Sequence, residues 1–479
     1  MKNIRKTLVV SLLLLLVAAA LIFTACKKTP IVPVPQGEEK PEGNVEETPT
    51  NDVNVQNEEF HVFATSLQQE MATHWPKMKD VWPGLDYENM NVVLFYLGAD
   101  GEVDEALLLN TQEKRALHED EHQEIFPPGP GGYAQDVFEG KNAIILSVDA
   151  ETMSQKDAVS ETYRIATHEP VHFFYQEEAQ ITMDEDRTQV FPIDKNHRVV
   201  RGMLYRHLVL AYENKDLEEE HLAKAKYWLD KWREDYTKEY REIKHTDIVE
   251  STARYIENMG TFIGTATTQE QMDEGADKNI QRNHLFLSSD EESYEIGYVA
   301  ALLLDRRVPD WKNSFYATGS TVEEVLLENI VAMPNEVHPE WEAEVTKAIE
   351  DYNAEIAKTI ADLVKLKDDL SVPLLKLEVS QSTSSMHATD MIRYDGRHVS
   401  VNYENRFKVD DKVIGVNTVN VFEEFDERGD QYVYVPLLMD YEINNDVLTV
   451  KEESLTVEGI QVETLQEDGR TVYFVKVTE

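Results

Sequence analysis

Near residue 370 the hydrophobic periodicity of this 479-residue chain changes character. From about 154 to 363 apolar residues recur three and four apart, as in Leu222, Ala225, Trp228, Leu229 and Trp232. That spacing builds amphipathic helices. Beyond 370, HVSVNY (398–403), QYVYVPL (431–437), DVLTV (446–450), LTVEGIQV (455–462) and TVYFVKV (471–477) alternate with period two between Gly and Asp turns. Such segments are strands, and they predict a separate all-β domain over 370–479, sandwich or barrel, with an accessory role. Upstream, residues 60–80 look helical, 91–97 (NVVLFYL) and 103–110 read as strands, 127–133 (PPGPGGY) as a loop and 142–148 (NAIILSV) as a buried strand. Thr246 is placed to cap a helix running to about 259, and 340–366 reads as another long amphipathic helix. The expected class is α+β, with a small mixed sheet and a mainly helical lobe over 60–369.

The N-terminus reads as an address. Lys2, Arg5 and Lys6 precede an apolar run, Leu8 to Phe23, and then Thr24, Ala25 and Cys26. A charged start, an apolar stretch and a small-residue cleavage site make an export signal over 1–25. The run is somewhat short for a membrane span. With its single cysteine directly after Ala25, the segment resembles a bacterial lipoprotein signal, although Phe23 stands where Leu is more usual. The resemblance implies lipidation of Cys26 and an extracytoplasmic, membrane-anchored protein. Residues 26–59, rich in Pro, Glu, Asn, Val and Thr, read as a disordered tether.

Charge and cysteine usage narrow the chemistry. The chain has 46 basic and 91 acidic residues, a formal charge of −45. Nucleic acid or an anionic membrane surface as main partner needs a basic footprint and is disfavoured. With one cysteine, an intramolecular disulfide and every CxxC-type metal site are excluded. Any metal must be held by His, Asp or Glu.

One stretch offers such a site: His168-Glu169-Pro170-Val171-His172, an H-E-x-x-H motif. On a helix, residues four apart share a face, so both imidazoles point at one ion. Glu169, offset by one residue, reaches a water on that ion, whose pKa zinc lowers to near 7. Ile165, Val171, Phe173 and Phe174 supply apolar flanks. A second match, His118-Glu119-Asp120-Glu121-His122, has acidic spacers and polar neighbours and reads as a solvated surface helix. A third ligand is required. Glu250 is the best candidate, with Ala253 and Glu257 on the same helical face. Ala253 permits close helix approach, and Glu257 is placed to accept the N–H of a ligand imidazole. An ordinary acidic helix face is the rival reading of Glu250 and Glu257. The histidines at 61, 207, 221, 245 and 284 are isolated, and no P-loop, G-x-S-x-G or G-x-G-x-x-G in strand–helix context occurs.

HEPVHFFY, a helical hairpin and then Glu250-Ser251-Thr252-Ala253-Arg254-Tyr255-Ile256-Glu257 resemble the gluzincin group of zinc metallopeptidases over roughly residues 90–305. The resemblance implies Zn²⁺ held by His168, His172 and Glu250, Glu169 as general base, and peptide or protein substrates. It makes the strand at 142–148 the edge along which an extended peptide lies. It also makes Tyr294 or Tyr298 a hydrogen-bond donor to the tetrahedral oxyanion, against a reading of either as a core aromatic. Two positions depart from the pattern. Ser251 stands where Gly is frequent. Pro170 either kinks a helix that starts near Ser154, or falls in the first turn of a fresh helical segment starting at Thr167. Pro170 and the large β module motivate an alternative function, a catalytically inactive surface-binding lipoprotein on a degenerate peptidase scaffold. A two-lobed solute-binding lipoprotein fits less well, because strand–helix alternation is missing after residue 154.

Overall fold

The structure is a computed structural model. It describes residues 52–477 except 100, 124, 126, 177–187, 284, 288, 367–368, 380–387, 389, 411 and 426–430. The expected signal segment, Cys26, most of the tether and His284 lie outside the described residues. The fold is mixed helix and sheet with a β-rich C-terminal region. Two compact units divide the chain: Phe63–Lys365 with Ile392–His398 form one, and Leu366–Met391 with Val399–Glu479 belong to the other. Among the described residues no helix is long and apolar enough to cross a membrane.

The first helix, α1, spans Asp52–His74, so residues 52–59 continue a helix rather than the expected tether. Downstream, Phe60, Leu67 and Met71 are buried. Extending a helix so anchored costs little per residue.

A five-stranded sheet follows, from β1 (Asn91–Leu97), β2 (Val103–Leu109), β3 (Lys114–Ala116), β4 (Tyr133–Phe138) and β5 (Lys141–Val148), in the order β3-β2-β1-β5-β4. All seven residues of β1 are buried, which explains its apolar run from Val92 to Leu97. The β1–β5 pair is parallel and the others antiparallel. The expectation that 142–148 is the edge is corrected: β5 lies between β1 and β4, and β4 is the edge. The hairpin closes at Glu139-Gly140, both with positive φ (53° and 75°), as a two-residue turn demands. Exposed Asp136 and Val137 suit an edge, whereas the apolar interior of β5 suits a central position.

The helical lobe contains α2 (Ala158–Pro170), α3 (Lys195–Glu213), α4 (Glu218–Asp235), α5 (Thr237–Gly260), α6 (Ser289–Arg307) and α7 (Pro339–Thr359). Thr246 is not an N-cap. It is buried inside α5, which starts nine residues earlier because Ile243, Thr246 and Asp247 pack inward. The predicted 340–366 helix is two, α7 and a short one at Ala361–Leu366. Helix α2 starts at neither Ser154 nor Thr167. It carries Pro170 in its last turn, and the chain then widens into one π-helical turn, Val171–Tyr175. Such widened turns recur at functional sites.

Helices α5 and α6 pack closely. A Cβ on Gly297 would lie 1.9 Å from Ser251 Oγ, which donates to the Ser293 carbonyl at 2.9 Å. Gly297→Ala is therefore expected to cost about 1–3 kcal/mol, measured by denaturant unfolding. An unchanged midpoint would contradict this packing.

In the C-terminal unit, β6 (Leu374–Val379), β7 (Arg397–Val409), β8 (Lys412–Phe425), β9 (Gln431–Pro436), β10 (Tyr441–Asn444), β11 (Val447–Lys451), β12 (Leu455–Gln461), β13 (Glu463–Glu467) and β14 (Arg470–Lys476) build the sheet. Eight of them join in one path, β10-β11-β12-β8-β9-β6-β14-β13, and β7 pairs with β8. Inward Leu375, Val421, Val433, Leu448 and Ile460 form the core, as the period-two pattern requires.

Candidate metal centre

Helix α2 and its π-helical extension bring a stripe of residues four apart onto α5: Arg164, His168, His172 and Gln176. The Nε2 atoms of His168 and His172 lie 3.0 Å apart. Glu250 Oε2 lies 3.2 Å from each. The ligand side chains are 5–6% exposed. For bonds of roughly 2.0–2.1 Å at tetrahedral angles, ligand atoms stand about 3.3 Å apart. This triangle therefore fits a small divalent ion held by three residues, and it is the one such group among the described residues. Pro170 does not splay the rings, which meet at a 64° interplanar angle.

Each imidazole is held from behind, a feature of metal-ligating histidines. His168 Nδ1 lies 3.0 Å from Glu257 Oε2. His172 Nδ1 lies 2.7 Å from Gln176 Oε1. The Gln176 amide donates to the Val249 carbonyl (2.8 Å) and to Thr252 Oγ1 (2.9 Å). With its nitrogen so engaged, its oxygen faces His172, so the His172 proton sits on Nδ1 and Nε2 stays free to ligate.

Burial would lower the pKa of His168, but its hydrogen bonds to Glu250 and Glu257, together with the charges of Glu169 and Glu257, push it up to about 10. Burial raises the carboxyl of Glu169, with Glu250 adding to the rise and His168, His172 and the Tyr133 hydroxyl opposing it. Burial also works against ionisation of Glu257, yet Arg254, His168 and Arg164 hold it well below the ordinary carboxylate range.

The two tyrosine candidates separate. Tyr294 stands edge-on to His168, ring centres 5.7 Å apart. Tyr298 does not serve the site. It is fully buried and its hydroxyl donates to the Ala276 carbonyl at 2.9 Å. One helical turn further along α6, it has passed into the core beside Tyr255. Among the described residues the second H-E-x-x-H match gathers no metal-ligating group. His118 precedes a four-residue helix, Glu121 pairs with Arg115, and His122 packs edge-on against Phe95.

Residues that motif reading missed are Gln176, Arg164, Arg254 and Tyr133. The first two continue the four-residue spacing of the histidines in both directions, and Arg254 follows Glu250 by the same interval. Tyr133 gave no signal, being assigned to the loop rather than to the start of β4. No family model, curated protein or solved structure matches the chain.

Proposed function

We propose that the chain is a zinc metallopeptidase of the gluzincin kind. It is exported, held at the membrane by lipid on Cys26, and hydrolyses peptide bonds in peptide or protein substrates. The observation that carries this reading is the convergence of His168, His172 and Glu250 within 3.0–3.2 Å around one point. When bound there, zinc supplies a Lewis acid and lowers the pKa of water at its open coordination position. Glu169 accepts the proton of the attacking water and delivers it to the leaving amine. Its raised pKa suits a group that must both take and return a proton. Glu257 and Gln176 keep the imidazole Nε2 atoms turned toward the ion. Tyr294 is the candidate donor to the developing oxyanion. The edge role passes to β4, whose outer side has no strand partner among the described residues and offers backbone groups to an extended peptide. The C-terminal β unit is accessory.

The inactive-scaffold alternative draws on Pro170 and the β module. Pro170 gives it no support, because the widened turn keeps the imidazoles together.

The test is cleavage of a peptide library by the full chain before chelation, after chelation, and after zinc is returned. Cleavage that disappears with chelation and returns with zinc is expected. A zinc-loaded protein that cleaves nothing would contradict the peptidase reading.

A further inference from the structure

Behind His168 lies a charge cluster that the proposed reaction does not use directly. Glu257 Oε2 meets His168 Nδ1, while its Oε1 accepts from Arg164 Nη1 at 2.7 Å and from Arg254 Nη1 at 2.8 Å. Arg164 comes from α2, one turn before His168, and Arg254 from α5, one turn after Glu250. Each helix that supplies a ligand thus also supplies a guanidinium, and both converge on one oxygen of one buried carboxylate. Arg164 is steadied by Asn258 Oδ1 (2.9 Å) and Asn279 Oδ1 (3.3 Å). Arg254 reaches Glu295 Oε1 at 3.3 Å and lies 5.3 Å from the centre of the Tyr294 ring.

A buried carboxylate is costly unless paired. The two arginines supply that pairing and occupy Oε1, which leaves Oε2 for His168. An anionic acceptor at Nδ1 fixes the proton there, turns the Nε2 lone pair toward the ligand triangle and makes it more basic. His172 has only the neutral amide of Gln176 in the equivalent place, so the two imidazoles are unequal donors.

We propose that Arg254 and Arg164 are positioning residues of the metal centre: they lock Glu257 onto His168 and thereby set how tightly the site holds a divalent ion. This rests on the metal-centre reading above. The rival is that the arginines merely neutralise buried charge and stabilise the fold. Only the positioning role requires their effect on metal binding to pass through Glu257.

The experiment measures Zn²⁺ affinity of the full chain by competition with a chromophoric chelator, with melting of each metal-free protein as a control on folding. The variants are Arg254→Gln, Arg164→Gln, Glu257→Gln and each arginine change combined with Glu257→Gln. Glu257→Gln is expected to weaken binding by roughly 10–100-fold, and each arginine change alone by about tenfold. In the Glu257→Gln background either arginine change adds almost nothing, the coupling expected of groups acting in series. Unchanged affinity in the single arginine variants, or losses that simply add in the doubles, would overturn the proposal. Arg164 is 23% exposed, so its pair of variants decides the matter if Arg254→Gln does not fold. A wild-type chain that takes up no zinc removes the metal-centre reading and this inference together. A wild type that binds while the arginine variants bind equally well removes the inference alone.

Discussion

Replacing Glu169 by Gln is expected to leave the zinc content unchanged and to slow peptide hydrolysis by about 10²–10⁴-fold, the usual contribution of a general base. Glutamine keeps the size of the side chain, but it cannot take a proton from water. Glu169 is not one of the three converging ligands, so the site keeps its donors. The signature is a fall in kcat with metal stoichiometry preserved. A variant as active as the wild type would remove Glu169 from the mechanism. A variant that loses its metal would instead make Glu169 a structural support of the site.

The second large effect concerns the helix that carries Glu250. One turn earlier on α5, Asp247 is clamped by Arg201, whose Nη1 and Nη2 donate at 3.0 and 2.7 Å, and by Ser293 Oγ at 2.7 Å. Arg201 also reaches Glu292 Oε2 at 3.1 Å and stacks on Trp232, 4.1 Å from the ring centre. The guanidinium is fully buried and ties α3 to α5 and α6. Arg201→Met strands the buried carboxylate of Asp247, whereas Glu292 keeps Arg198 Nη1 at 2.7 Å. The expected loss is about 3–5 kcal/mol, because breaking one side of a buried ion pair strands the other. Adding Asp247→Asn to Arg201→Met is expected to recover part of that loss, since the stranded charge is then gone. Denaturant unfolding of both variants checks this. A single variant within about 0.5 kcal/mol of wild type, the range of ordinary surface changes, would contradict the account of how α5 is held.

The contrast between these groups explains what could be read from the sequence. His168 and His172 were legible because a fixed spacing on a helix is a geometric statement, whereas Glu250, on another helix, was a candidate through the face it shares with Ala253 and Glu257. Glu257 was legible through the same helical face, seven residues on from Glu250. Arg201 and Asp247 were not, because nothing in a linear sequence pairs an arginine on one helix with an aspartate on another when 91 acidic residues are available. The all-β character beyond 370 followed from period-two alternation, whereas the strand path depends on pairings between distant segments. The edge strand was misassigned because β4 is polar and starts directly after a Pro/Gly run, while β5 is conspicuous by its apolar residues. Conspicuous hydrophobicity marks the centre of a sheet, not its edge. The resemblance offered Tyr298 as well as Tyr294, but one helical turn is enough to move a side chain from beside His168 into the core.

The central claim is that three side chains from two helices hold one divalent ion. Elemental analysis of the purified full chain, beside His168→Ala and Glu250→Gln, tests it most directly. About one zinc per wild-type chain is expected, with loss in both variants well beyond the roughly 10–100-fold typical of an outer supporting residue and each variant still folded. Equal and negligible zinc in all three proteins would contradict it.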